Sequence, residues 1–99
     1  MMWRHGDILI AKTDKIPTNA KKRNNLILAY GEVTGHTHRI AERDAAQLFS
    51  MADLLFLQVV AEQATLIHEE HHPIVLPQGV YRVWQQREYT PKAIRRVVD

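Results

Sequence analysis

The sequence predicts an all-β fold, a small antiparallel β-barrel or jelly-roll-like sandwich, built as a single domain over residues 1–99. Three observations predict it. Seven or eight short apolar or alternating runs recur at spacings of roughly 8–12 residues, with turn residues between them. Residues 34–42 alternate with the period of a strand. A chain of 99 residues sits below the usual domain size, so one small core is expected.

Residues 8–11, Ile-Leu-Ile-Ala, form the first expected strand. Residues 14–25 hold Pro17, Asn19, Asn24, Asn25 and the run Lys21-Lys22-Arg23, and read as a polar loop. That basic run is a solvated loop or, functionally, a clamp for phosphate. Residues 26–30 form a second apolar strand, stopped by Gly31, and Gly35 punctuates again. Within 34–42, His36, His38 and Ile40 share one parity, and Thr37, Arg39 and Ala41 share the other, so the two sets face opposite ways. Residues 47–51, 54–60 and 64–68 are three further strands, with Asp53 and Glu62-Gln63 supplying turns. Both parities of 54–60 are apolar, which predicts burial on both faces. A helix over 44–63 is the competing reading of this stretch. Pro73 and Pro77-Gln78-Gly79 bracket residues 74–76. Residues 80–89 then read as one long strand, with Tyr81, Val83, Gln85, Arg87 and Tyr89 on one side, ended by Pro91. Residues 94–98 supply a last edge strand. Trp3 and Trp84 read as core or rim residues.

Composition narrows the function classes. The chain is 45% hydrophobic and 24% charged, as ordinary globular chains are. No apolar run approaches the ~20 residues of a membrane helix, and residues 1–7 lack the features of a secretory signal, so a cytoplasmic protein without membrane contact is expected. The absence of cysteine excludes disulfides, thiolate metal sites and cysteine nucleophiles. A net charge of +2 permits an anionic partner without demanding one. There is no Gly-rich phosphate loop, serine nucleophile elbow or dinucleotide fingerprint.

Histidine is the outlier. Six occur, five of them in two tight groups, His36/His38 and His68/His71/His72. His36 and His38, two apart on a strand, project to one face. They can present two imidazoles to one metal ion, or place a general acid and a general base beside one scissile bond. His68-Glu69-Glu70-His71-His72 fits the letters of the zinc-protease His-Glu-x-x-His helix, but Pro73 follows at once and the upstream residues are strand-like, so that motif is rejected. One of these histidines is expected to reach toward the first pair. In Gln86-Arg87-Glu88-Tyr89, Arg87 offers a fork for phosphate oxygens and Tyr89 a phenol that can hydrogen-bond or stack. Arg39, Arg43 and Arg82 extend the same expected positive surface.

Two resemblances arise at these residues. Gly31-x4-His36-x-His38-x3-Glu42 resembles the first motif of cupins, one residue short in its spacing, and Leu76-Pro77-Gln78-Gly79 resembles the turn of the second cupin motif. The second-motif histidine is missing after Gly79. This resemblance implies a divalent transition metal on His36, His38 and Glu42, with His68 or His72 as a substitute ligand. A more extensive resemblance is to small bacterial and phage proteins associated with CRISPR ring nucleases. It is carried by Gly6-Asp7-Ile8-Leu9, Gly31-Glu32-Val33-Thr34-Gly35-His36-x-His38-Arg39, His68-x-Glu70-His71, Leu76-Pro77-x-Gly79-x-Tyr81-Arg82-Val83 and Gln86-Arg87-Glu88-Tyr89-Thr90-Pro91. It implies a β-rich homodimer that cleaves cyclic oligoadenylates without a metal or other cofactor.

An RNA-type phosphodiester carries its own nucleophile, the 2′-hydroxyl, so an acid, a base and an oxyanion partner are sufficient. On that expectation His36 and His38 are acid and base, and His71 an auxiliary proton donor or orienting group. Arg39, Arg87, Gln86 and Tyr89 hold a cyclic oligonucleotide or short RNA-like ligand. A module that senses such a nucleotide without cutting it is the remaining alternative.

Overall fold

The computed structural model describes residues 2–31, 35–89 and 94–96, with 87–89 and 94–96 described by backbone alone. The strands are β1 (Met2–His5), β2 (Ile8–Lys12), β3 (Lys21–Lys22), β4 (Ile27–Tyr30), β5 (Thr37–Ile40), β6 (Ala46–Met51), β7 (Leu54–Ile67), β8 (Ile74–Gln85), β9 (Arg87–Tyr89) and β10 (Ile94–Arg96). All pairings are antiparallel, and no helix occurs among the described residues. The expected all-β antiparallel class, a small sandwich-like or barrel-like fold, is the one the structure has. The competing helix over 44–63 is overturned: β6 and β7 occupy it, paired from Ala46↔Val59 to Met51↔Leu54.

One sheet runs β1-β2-β8-β7-β5-β4, and β6 branches off β7 with β3 at its edge. The long hairpin β7–β8 is its spine. The expected turn at Glu62-Gln63 and the expected break at Pro77-Gln78-Gly79 are both absorbed into continuous strands. They lie across from each other, because the pairing skips between Val59↔Gly79 and Gln63↔Pro77. A bulge on one strand thus accommodates the proline and the left-handed Gly79 (φ 150°) on its partner. There β7 exchanges one neighbour for another. Its first half pairs with β6 and its last residues pair with β5, while the Ala45 carbonyl takes the amides of Val60 and Ala61 at 2.8 and 3.2 Å.

The bulge also switches the inward parity. Before it Leu57 and Val59 face the core, and after it Ala64, Leu66 and His68 do. Burial of both parities in 54–60 holds at Phe56 and Leu57 only. The core is completed by Ile8, Ile10, Leu28, Ile40, Leu48, Leu76, Tyr81 and Val83. Tyr81 is fully buried, its hydroxyl donates to the Pro77 carbonyl, and the Trp3 ring meets it edge-on at 5.5 Å. Such burial is the main favourable term in a chain this small.

The expected strand over 80–89 divides. β8 ends at Gln85, whose successor turns its amide to the Asp7 carbonyl at 2.7 Å, and β9 pairs with β10 in a separate two-stranded sheet. β1 is a strand the sequence reading left out, as is the two-residue β3 inside the expected loop. No helix among the described residues is long and apolar enough to cross a membrane.

Candidate metal centre

Four backbone devices bring the histidines together. The first is β5, whose alternation buries His38 (fully) and Ile40 and turns Thr37 and Arg39 the other way. The second is the pairing Arg39↔Ile67, which one step further sets His38 across from His68. The third is the tip of the β7–β8 hairpin, residues 68–73, which carries His68, His71 and His72. The fourth is the β1–β2 hairpin. Its two-residue turn Gly6-Asp7 has a positive φ (63°) at Gly6 and not at Asp7, the pattern of a type II′ turn, and it delivers His5 and Asp7 to the same place.

The result is a packed set of imidazoles. Ring centroids stand 4.3 Å apart for His38 and His68, 4.5 Å for His68 and His71, and 5.0 Å for His5 and His38. His36 reaches the outer side of His68 at 5.5 Å and lies 3.9 Å from the Glu70 carboxylate. One ligand nitrogen each from His38, His68 and His71 lies within 4.8 Å of the other two. On a tetrahedral ion with ordinary metal–nitrogen bonds, ligand nitrogens stand about 3.4 Å apart. A closing movement of at most about 1.4 Å per pair therefore completes the geometry.

The hydrogen bonds decide which nitrogen His38 presents. His5 Nε2 donates to the His72 carbonyl at 2.9 Å, so the neutral His5 ring keeps a lone pair on Nδ1. His38 Nδ1 lies 2.9 Å from that atom and must therefore be the donor. His38 Nε2 is left with its lone pair, 3.5 Å from the Asp7 carboxylate. A ligand histidine whose other N–H is tied down is the usual arrangement around a metal, and His5 is the orienting partner here. Asp7 is itself buried and accepts the Gln85 side-chain amide at 2.5 Å. His71 Nε2 is buried with no hydrogen-bond partner among the described residues. A Cβ on Gly6 would sit 2.6 Å from that nitrogen and 3.1 Å from the His38 ring, so the glycine makes the room the rings occupy.

Electrostatics favour the uncharged forms of His38 and His5. Burial lowers the pKa of His38 to about 4, helped by His68 and His5 and opposed by Asp7. Burial also lowers that of His5, against the bond to the His72 carbonyl. Neutral imidazoles are ligands, and His38 near neutral pH is not a proton donor for a leaving group. His68 differs in one respect. Its Nδ1 accepts the Glu70 amide at 3.0 Å, which puts the ring proton on Nε2. Binding through Nε2 requires that proton to move to Nδ1 and the amide to turn away.

The expected site residues divide. His36, His38 and His71 do gather. Arg39 leaves β5 on the side away from His38, and its Nη1 bonds Thr37 (carbonyl and hydroxyl, both 2.9 Å) and the Glu69 carboxylate (3.0 Å), which lies at the edge of the cluster within 4.8 Å of one nitrogen each of His36 and His68. Glu42, the ligand expected from the cupin resemblance, instead holds the Thr65 amide and hydroxyl at 2.8 and 2.7 Å. Gln86 accepts from Arg4, at the rim of the Gly6-Asp7 turn. Arg82 lies over the Trp84 ring at 5.7 Å, away from any shared surface with Arg39. The side chains of Arg87 and Tyr89 and the residues Glu32, Val33, Thr34, Thr90 and Pro91 lie outside those described. Sequence reasoning missed His5, Gly6 and Asp7. A histidine directly before a Gly-Asp hairpin turn was the available signal.

Residues 4–86 match the family model described as Domain of unknown function (DUF8820). No curated protein and no solved structure matches the chain.

Proposed function

We propose that this chain, which belongs to the DUF8820 family, functions through a transition-metal ion held by His38, His68 and His71. The observation that carries the proposal is the convergence of three buried or half-buried imidazole nitrogens within 4.8 Å, from two separate elements, with one ring locked in the ligating tautomer by His5. An all-nitrogen set without thiolate suits Zn²⁺, Cu²⁺, Ni²⁺ or Fe²⁺ rather than Ca²⁺ or Mg²⁺. Three protein ligands leave a fourth position, as catalytic rather than structural sites do. The function is metal binding with one exchangeable position, a cupin-like use of histidines with a different ligand set.

Metal-independent cleavage of cyclic oligoadenylates by His36 and His38 is the competing reading. It needs a protonated acid and a nearby phosphate-binding arginine. Burial keeps His38 neutral, which restricts it to the base, and the Arg39 guanidinium is taken up by Thr37 and Glu69.

One experiment separates the two. The chain is stripped with chelator and reloaded separately with Zn²⁺, Co²⁺, Ni²⁺ and Cu²⁺, with elemental analysis after desalting and the Co²⁺ visible spectrum as readouts. Expected is one ion per chain and a tetrahedral or five-coordinate Co²⁺ spectrum, both lost in His38→Ala and His68→Ala. Binding that is absent, or equal in the variants, overturns the proposal. Turnover of cyclic tetra-adenylate that survives excess EDTA establishes the alternative.

A further inference from the structure

A second feature lies outside the histidine cluster. Between the β3–β4 segment, β5 and the start of β6 is an open cleft of about 710 Å³. Lys22, Arg23, Arg39 and Arg43 line it, with Asp44 the single carboxylate among the lining residues. That is an excess of three positive charges in a chain whose whole net charge is +2, so the cleft concentrates the molecule's positive field. Lys22, Arg23 and Arg43 have no carboxylate partner among the described residues. Arg39 is the exception, and its bonds to Thr37 and Glu69 hold the guanidinium in place. The floor is apolar, from Leu26 and Ile27 to Val60, an aliphatic side chain left 42% exposed. Asn25 spends its side-chain carbonyl on the Ile27 amide at 3.0 Å, leaving its NH₂ as a further donor at the rim.

We propose that this cleft binds a small phosphorylated molecule of nucleotide size, with phosphate oxygens on Arg23, Arg39 and Arg43 and the nucleoside part over the Val60 floor. Each part of the chemistry matches. Guanidinium forks take phosphate oxygens in pairs, and three converging on one cleft call for more than one negative charge. An exposed aliphatic floor suits the flat, weakly polar face of a base or sugar. The volume falls inside the ~300–1,000 Å³ range of small-molecule sites, which favours a single nucleotide over a polymer that would run past the cleft. The two sites meet at Glu69, whose carboxylate holds Arg39 at 3.0 Å and offers an oxygen within 4.8 Å of one nitrogen each of His36 and His68. Arg23 and Arg43 are not among the proposed metal ligands, so binding in the cleft is measured with the metal removed.

The test is calorimetric titration of the full chain, held in EDTA, with ATP, AMP, adenosine, pyrophosphate and a short single-stranded RNA. Expected is binding of ATP that weakens as salt is raised, weaker binding of AMP and pyrophosphate, and none of adenosine. Arg23→Gln with Arg43→Gln should weaken ATP binding at least tenfold, while Arg82→Gln, a charge outside the cleft, leaves it unchanged. Chemical-shift changes on titration should centre on Ile27, Arg39 and Val60, which also reports that the variants are folded. ATP that does not bind, or binds equally to the double variant, overturns the proposal. RNA bound in preference to ATP overturns it in favour of a nucleic-acid surface.

Discussion

His38 and His68 face each other across β5 and the end of β7, their rings 4.3 Å apart and tilted by 33°. Rings already this close need move little for an ion to draw them together. His38→Ala or His68→Ala is accordingly expected to weaken Zn²⁺ binding by at least two decades in a competition titration with a chromogenic chelator. A loss of less than tenfold would remove both from the ligand set.

His5 acts through His38, accepting on Nδ1 and donating from Nε2. Glutamine can do both with its carbonyl and amide groups, and alanine neither. His5→Ala should lose about 10- to 100-fold in metal affinity, and His5→Gln should recover most of it. If both variants bind equally well, the relay to the His72 carbonyl does not orient His38.

Gly6 is constrained twice, by its left-handed φ of 63° and by the His71 nitrogen 2.6 Å from where a Cβ would stand. In Gly6→Ala the backbone term alone costs about 1–2 kcal/mol, and His71 is displaced from the centre. The expected outcome is a lower thermal midpoint together with weakened metal binding. A midpoint drop with metal affinity intact would show that His71 is not a ligand.

Stability of the chelated protein should depend on pH. In the unfolded chain His38 has an ordinary pKa near 6.5, and in the folded one it is about 4. The unfolded state thus takes up more protons between these values. Stability is complete above about pH 6.5 and is lost as pH falls toward 4, on the order of 2–3 kcal/mol from this residue. His5 shifts the same way and adds to the loss. Urea midpoints measured in EDTA from pH 7.5 to 4.5 check this, and a flat profile would contradict it.

Ala52 opens the two-residue turn of the β6–β7 hairpin with φ 55°, where side chains are strained. Ala52→Gly relieves about 1–2 kcal/mol of folded-state strain against roughly 0.5–1 kcal/mol of added chain entropy. A small rise in thermal midpoint is expected, with metal affinity unchanged. A fall would mean the turn carries no strain.

The antiparallel β class was legible because it rests on local alternation and turn residues, as in residues 8–11, 26–30 and 36–40. The expected face of His38 was legible for the same reason. What was not legible is everything fixed by register. Glu62-Gln63 and Pro77-Gln78-Gly79 both look like breaks, and only their apposition makes them a bulge inside a continuous hairpin. That bulge moves the inward parity from Leu57 and Val59 to Leu66 and His68, which no reading of residues 54–68 in isolation can reveal. Arg39 leaves its strand on the side away from His38, and only the fold of the β7–β8 tip, which sets Glu69 beside it, brings its guanidinium to the cluster's edge. His5 was overlooked because its partners lie more than 30 positions away, His38 at 33 and His72 at 67.

The Asp7 carboxylate meets the Gln85 amide across 78 positions of chain, and β2 lies on β8 across 69 to 77. The supporting residues His5 and Asp7 therefore reach His38 only with β2 docked on β8. Residues 5–7 are synthesised well before β8, the last strand of the main sheet, on which their hairpin docks. Closing so wide a loop is slow and entropically costly. An ion gripped there would clasp β5 to the tip of the β7–β8 hairpin, and fraying of the first hairpin would loosen it by taking the His5 support from His38.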